Sequence, residues 1–196
     1  EIKIKKEKEI FLVNGQLKNK KIKFNKKEIN QYINLDIPDF KIREIVFSSE
    51  INFGFNFDKR FKMENFNFVS KIDMKNLILN TNNRLFQIFP EFEEEIRFED
   101  HKINLDYKNK KLAIEGGGNI FIQENQDKIK YKFIKTQKNL FFDTLLNINQ
   151  NKIKFDILNY ENKKNTDLKF IIKGNKTYNK KIFLDEVSLT EKNNNF

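Results

Sequence analysis

Ile51-Asn52-Phe53-Gly54-Phe55-Asn56-Phe57-Asp58 alternates apolar and polar residues without a fault. In an extended chain successive side chains point to opposite faces, so this stretch makes one greasy face and one wet one. Shorter copies recur: Ile103, Leu105, Tyr107; Ile129, Tyr131, Phe133; Ile153, Phe155, Ile157; and Leu168, Phe170, Ile172. A helix needs apolar spacings of three and four, which these segments lack. They predict strands that are apolar on one side only.

Working outward, alternation can be followed in short pieces such as 9 to 13, 20 to 24, 40 to 48, 50 to 58, 61 to 69, 70 to 79, 95 to 99, 102 to 107 and 152 to 158. Turn residues punctuate them: Asn14-Gly15, Lys108-Asn109-Lys110, Asn125-Gln126-Asp127, Gln150-Asn151, Asn162 to Thr166 and Gly174-Asn175. Pro38 marks a strand start or an edge, since it cannot donate to a ladder. Repeated strands with hairpin turns predict an antiparallel meander rather than βαβ units. Two stretches, Phe61 to Leu79 and Lys181 to Thr190, invert their alternation midway at a Glu- or Asn-bearing kink. Such an inversion suits a β-bulge, so the sheet is expected to be strongly curved. The fold expected is therefore all-β: a long, curved, repetitive antiparallel sheet forming a groove or trough.

One segment departs from this rhythm. Between Asn82 and Glu95, Leu85, Phe86, Phe89 and Phe92 fall at three- and four-residue spacings, with Pro90 interrupting. A short helix near 82–89 is expected there, packed as a cap or plug on one end of the sheet. The acidic residues Glu91 and Glu93 to Glu95 that follow are a solvated surface.

At 196 residues the chain fits one domain. It starts at Glu1 rather than Met and stops after a strand-like segment, so 1–196 is expected to be one segment of a longer repetitive domain, with no internal boundary. No apolar run approaches the roughly 18 residues that a membrane-spanning helix requires. The net charge of +10 would ordinarily suggest a polyanionic partner. However, the enriched residues Lys, Asn, Ile and Phe have A/T-rich codons, while Ala occurs once, at Ala113, and Arg only at 43, 60, 84 and 97. Arg is the better phosphate fork, so its scarcity favours genomic composition as the source of the charge. Without Cys there are no disulfides and no thiolate metal sites.

No catalytic, metal or cofactor site is expected. His101, the only histidine, stands beside Glu99 and Asp100 and reads as a surface turn residue, because common zinc sites want three or four converging ligands. Ser48, Ser49, Ser70 and Ser188 have no base at a recognisable spacing. Gly116-Gly117-Gly118 is followed by strand-like Asn119 to Ile122, not by the helix of a phosphate loop; it reads as a hinge, or as a place where backbones crowd. Phe interleaved with Lys could stack single-stranded nucleic acid, yet the rings share a face with Ile and Leu while Lys and Asn lie opposite. A membrane β-barrel is disfavoured by short strands and by the lack of Trp.

What remains is the apolar face itself. If the sheet is an open trough rather than a filled sandwich, it has room for hydrocarbon, and each methylene moved out of water gains about 0.8 kcal/mol. Met63 and Met74 would adapt to many lipid shapes.

Three stretches, DFKIREIVFSSEINFGFNFDKRFKMENFNFVSKIDMKNLILN from Asp39, HKINLDYKNKKLAIEGGGNIFIQ from His101 and KIFLDEVSLTEKNNNF from Lys181, resemble the AsmA-like bacterial envelope proteins related to TamB and YhdP. The likeness runs from about Phe40 onward and lies in a style of alternation and kinks. It implies an elongated β-groove on the periplasmic side of the inner membrane of a Gram-negative bacterium, held to the membrane by flanking regions. It also implies a role in outer-membrane biogenesis, carrying phospholipid or other acyl lipid between the two membranes without catalysis. On this resemblance Phe53, Phe55, Phe57, Phe66, Phe68, Ile103, Leu105, Ile129, Tyr131, Ile153, Phe155, Leu168 and Phe170 line the groove. The alternatives are a structural envelope or surface protein with a filled core and, further off, a basic nucleic-acid-binding β-domain.

Overall fold

Two-residue hairpins show how the chain builds its sheet. Asn109 and Lys110 both take positive φ, 52° and 60°, and join β5 (Glu95–Lys108) to β6 (Lys111–Phe121). Positive φ at both loop positions matches the right-handed twist of the flanking strands. The longer link from β3 (Phe40–Phe57) to β4 (Met63–Thr81) turns on Asp58, whose Oδ1 accepts from the backbone N–H of Arg60 and of Lys62 at 2.8 and 2.9 Å. Thr136 does the same for the turn between β7 (Asp127–Lys135) and β8 (Asn139–Ile148).

The computed structural model describes residues 1–28, 40–81, 85–156, 159–162, 166–177, 181–191 and 194–195. Pro38 lies outside them. The remaining strands are β1 (Ile2–Glu7), β2 (Ile10–Asn25), β9 (Lys154–Phe155), β10 (Tyr160–Glu161), β11 (Leu168–Thr177), β12 (Ile182–Glu191) and β13 (Asn194–Asn195). Eleven of these strands form one sheet in the order β1-β2-β3-β4-β5-β6-β7-β8-β11-β12-β13, and every neighbouring pair is antiparallel. The two ends of this order do not pair with each other. The protein is thus an open all-β meander, with β9 and β10 forming a separate two-stranded piece.

The strands are longer than the alternation suggests. Segments 40–48 and 50–58 fuse into β3, 61–69 and 70–79 into β4, 95–99 and 102–107 into β5, and 9–13 with 20–24 into β2. A strand of 19 residues such as β4 also removes short strand length as an argument against a barrel. Asn14-Gly15 and Gly174-Asn175 lie within β2 and β11 rather than in turns.

Bulges explain the apparent breaks. The register slips at Arg43, at Lys75, around Asn65 and Phe66, and at Asp185. Lys21, Asn65 and Asp100 also take positive φ, at 42°, 55° and 53°. Each slip inverts the alternation and bends the strand, as the kinks in Phe61 to Leu79 and Lys181 to Thr190 predicted. Two of them line up across neighbouring strands: the shift between Val46 and Phe47, where Lys75 is the extra residue, and the shift between Glu99 and Lys102 opposite β6, with Lys75 and Asp100 level with each other in β4 and β5. On the wet side of this seam Lys75 Nζ meets Asp100 Oδ1 at 3.2 Å.

The expected helix reduces to a single 3-10 turn, Leu85–Gln87, with residues 82–84 outside the described part. Its role as a plug holds. Phe89 is buried, and Leu85, Ile88 and Phe92 pack on a core of Ile96, Ile120, Ile122, Leu146, Ile148, Ile153, Leu168 and Leu189. Phe86 instead points into solvent.

Candidate functional site: one apolar face, half plugged

Directly opposed residues in an antiparallel ladder share a face, so the register assigns every side chain. Phe53 opposes Phe68, which opposes Tyr107; Ile72 opposes Ile103, Ser70 opposes Leu105, and Ile103 opposes Gly116, which opposes Tyr131. Gly118 opposes Ile129, Ile129 opposes Leu146, Leu146 opposes Phe170, and Ile148 opposes Leu168. Phe55, Phe57 and Phe66 join the same face through ring contacts: Phe53 to Phe55 at 6.1 Å, Phe55 to Phe57 at 5.0 Å, Phe55 to Phe66 at 6.4 Å and Phe66 to Phe68 at 5.9 Å. All the expected lining residues within the main sheet therefore lie on one side of it. Lys18, Lys71, Lys102, Lys128, Lys130, Lys132 and Lys173 lie on the other.

Ile153 and Phe155 reach this face from elsewhere. Among the described residues Lys154–Phe155 pairs only with Tyr160–Glu161, and the described parts of this segment, 149–156 and 159–162, fold over the sheet instead of joining it. Ile157 lies outside the described residues. Ile153 is 0% exposed, and the Phe155 ring packs on Phe170 at 5.7 Å. Buried polar groups tie the segment down. Asp127 accepts from Asn151 Nδ2 at 2.6 Å and from the Asn149 N–H at 2.9 Å; Asn162 Oδ1 accepts from the Ile153 N–H at 2.5 Å; Gln123 Oε1 accepts from the Lys152 N–H at 3.1 Å. The Lys154 N–H donates to the Ile88 carbonyl at 2.9 Å, joining this segment to the turn at Leu85–Gln87. Burial raises the Asp127 carboxyl above its ordinary range, partly offset by these donors. No alternation rule could have found Asp127, Asn151 and Asn162, because they serve a loop rather than a strand.

The apolar face therefore has two bands. Toward Ile96, Ile120, Ile148 and Leu168 it is filled by the two covering segments. Toward Phe57, Phe66, Phe68 and Tyr107 no described residue from another layer covers it. Phe66 is 39% exposed, and Met63 and Phe61 more so. Val13 and Met74 are buried on this face by their neighbours within the sheet. Phe55→Asp is expected to lose about 2 kcal/mol of folding stability, because it strips ring contacts and sets a charge among apolar groups. Asn56→Asp, on the wet face, is expected to stay within about 0.5 kcal/mol of wild type. Urea midpoints compare the two; equal losses would contradict the assigned facing.

His101 corrects the sequence reading. It is fully buried in mid-strand, not at a surface turn, because the bulge at Asp100 swings it onto the apolar face. Its ring contacts Phe98 at 5.4 Å and Tyr131 at 5.8 Å, and it occupies the space above Gly118. Nε2 lies 2.9 Å from the Asn119 carbonyl and so carries the hydrogen, leaving Nδ1 to accept from the Tyr131 hydroxyl at 3.2 Å. Gly116-Gly117-Gly118 is thus a crowded part of a strand: a Cβ at Gly116 would meet the Tyr131 hydroxyl at 2.9 Å. Desolvation lowers the His101 pKa below 6.5 and raises that of Tyr131 to about 12.

A lowered folded-state pKa means the unfolded chain binds the proton more strongly. This contribution to stability is complete above about pH 6.5 and is lost as the pH falls toward the folded pKa. Urea midpoints between pH 7.5 and 5.5 are expected to fall for wild type and to fall less for His101→Gln. Identical slopes would remove His101 as the cause.

On the wet face a depression of about 740 Å³ lies over Gly117, bordered by Lys102, Asn104, Lys128, Lys130, Lys132 and Asn147. Lys132 pairs loosely with Glu115 at 3.8 Å. Among the described residues no three His, Cys, Asp or Glu side chains converge as a metal site would require, and no helix is long and apolar enough to cross a membrane.

Fold and site together define an open, one-sided β-sheet protein with a partly uncovered apolar face. No family model, curated protein or solved structure matches the chain.

Proposed function

We propose that the chain is a non-enzymatic lipid-binding segment whose uncovered apolar band holds the acyl chains of phospholipid or a similar lipid. The observation that carries this reading is the row of Phe53, Phe55, Phe57, Phe66, Phe68 and Tyr107, contiguous on one face and uncovered among the described residues. Burying such a row against hydrocarbon is favourable at about 25 cal/mol per Å² and needs no directional polar partner. Exposed apolar patches of this kind mark interaction sites in soluble proteins. Lys18, Lys71, Lys102, Lys128, Lys130, Lys132 and Lys173 stand on the face opposite the row of rings, and on the apolar side only Lys6, over Phe11 at 5.7 Å, is seen among the described residues to stack a cation on a ring, so the row lacks the interleaved cations that a stacking surface for nucleic acid needs. Passage of lipid between inner and outer membranes, on the periplasmic side, is the setting that the AsmA-like resemblance suggests for this activity.

Photo-crosslinking tests the proposal. A photoreactive residue at position 55 is expected to capture lipid during expression or from vesicles, whereas one at Phe155, packed on Phe170, captures little. Absence of lipid at position 55, together with lipid-free protein by native mass spectrometry, would leave the filled-scaffold reading in its place.

A further inference from the structure

Every second connection of an antiparallel meander lies at the same end of the sheet, so β1–β2, β3–β4, β5–β6 and β7–β8 all turn together. Charge is sorted between the two ends. This hairpin end carries Arg60, Lys108, Lys110, Lys111 and Lys138, none of which forms an ion pair among the described residues. Its acids are already engaged: Glu7 with Lys5, Glu9 with Lys59, Glu64 with Lys62, and Asp58 with the backbone of its own turn. At the opposite end the links β4–β5 and β6–β7, over residues 85–94 and 122–126, carry Glu91, Glu93, Glu94 and Glu124 and neither Lys nor Arg. The β8–β11 link mixes both signs, with Lys152 and Lys154 beside Asp156 and Glu161. A codon bias that raises Lys throughout the chain does not separate the signs in this way.

The β3–β4 hairpin projects from the basic end. Phe53, Phe68 and Tyr107 stand level with one another across three strands. From that level β3 runs on to Phe57 before turning, whereas β5 ends at the next residue, Lys108. At roughly 3.3 Å per residue, the β3–β4 tip stands about 10 Å beyond its neighbour. Phe61 at this tip is 76% exposed, more than any other large apolar residue described, and Met63 beside it is also exposed. The Phe61 ring lies 6.4 Å from that of Phe57, so the aromatic row continues onto the tip. A φ of 58° is uncommon for so bulky a residue, and the turn holds it there. The Phe61 N–H donates to the Asp58 carbonyl at 3.0 Å, while Arg60 and Lys62 donate to Asp58 Oδ1. A braced tip thus keeps a ring and a thioether in solvent, flanked by Lys59, Arg60 and Lys62.

We infer that this end of the sheet docks on the surface of a bilayer containing anionic phospholipid. Phe61 and Met63 enter the headgroup layer, and Arg60, Lys108, Lys110 and Lys111 face the phosphates. Peripheral elements hold to membranes by buried apolar area together with attraction to anionic lipid. Each Lys or Arg close to such a surface strengthens binding roughly fivefold. A nucleic acid would use the cations but would leave the projecting Met63 without a role, because stacking needs a row of rings among the charges. Docking at the tip does not depend on acyl chains entering the apolar band.

Flotation with vesicles of phosphatidylcholine, with and without phosphatidylglycerol, tests the inference. The chain is expected to float only with the phosphatidylglycerol vesicles and to be released by salt. Lys110→Glu and Phe61→Ser are each expected to weaken binding about tenfold or more. Lys102→Glu, in mid-sheet on the wet face, is expected to leave it unchanged. All three positions are exposed, and circular dichroism checks that the sheet is retained. The chain has no cysteine, so an environment-sensitive dye on Phe61→Cys reports insertion. Its emission should shift to the blue on phosphatidylglycerol vesicles, and the same dye on Glu124→Cys, at the acidic end, should not shift. Equal flotation with both kinds of vesicle, or equal weakening by Lys102→Glu and Lys110→Glu, would overturn the assigned site. So would tighter binding to single-stranded DNA than to the vesicles, undiminished in Phe61→Ser. Lipid captured at position 55 by a chain that never floats would overturn this docking and leave the acyl-binding reading in place.

Discussion

Leu168→Asp is expected to abolish cooperative unfolding, leaving a chain without a melting transition, while Lys169→Asp at the next position leaves the transition in place. Leu168 is 1% exposed at the centre of the filled band. It stands between Ile148 and Glu191 on the apolar face. A carboxylate there would have no cationic partner across either ladder and would face another acid. Loss of the packed side chain alone costs about 2 to 5 kcal/mol, and an unpaired buried charge adds several more. That sum rivals the whole stability of an ordinary domain, about 5 to 15 kcal/mol. Lys169 faces water opposite Asn147 and Thr190. Calorimetry of the two variants makes the comparison, and a cooperative transition in Leu168→Asp near the wild-type temperature would refute the packing described for this band.

Gly118→Ala is the second large effect. A Cβ at this position would lie 2.3 Å from His101 Cδ2 and 2.8 Å from His101 Cα. The ring can rotate away, but the Cα belongs to the neighbouring strand, so either the ladder or the bulge must shift. Overpacking of this kind costs about 3 kcal/mol or more, although a single methyl group is added. Adding His101→Ala should recover part of the loss by freeing the ring position and leave the backbone conflict standing. A double-mutant cycle in urea measures this directly. Strict additivity of the two changes would mean that the glycine and the histidine do not share the site.

Both predictions use positions that alternation alone treats unequally. Leu168 was legible from sequence, because Leu168, Phe170 and Ile172 alternate cleanly and the facing of a strand follows from its period. The kinks in β4 and β12 were legible too, as inversions of that period. His101 was not, because a bulge at Asp100 reverses which residues face inward, and no local signal says on which side of the slip a lone histidine falls. Long strands read as pairs of short ones for the same reason. Ile153 and Phe155 carry a strand-like period yet belong to a covering segment, and the anchors of that segment, Asp127 with Asn151 and Asn162, are polar residues whose partners lie 9 to 24 positions away. Tertiary hydrogen bonding of that range leaves no periodic trace.

The covering segment also interrupts the meander between β8 and β11, and this sets an order of assembly. From β5 to β8 each strand returns onto its predecessor through a short connection, so those ladders close at little entropic cost. The joining of β8 to β11 spans the whole of 149–167 and has to wait. We infer that the nucleus forms in the middle of the chain and that the region carrying Leu168 and Leu189 docks last. Pulse-labelled amide exchange during refolding would show β6 and β7 protected before β11; simultaneous protection would rule this order out. During that interval Ile120, Leu146 and Ile148 stand bare, and it is then, rather than in the finished molecule, that aggregation competes most strongly with folding.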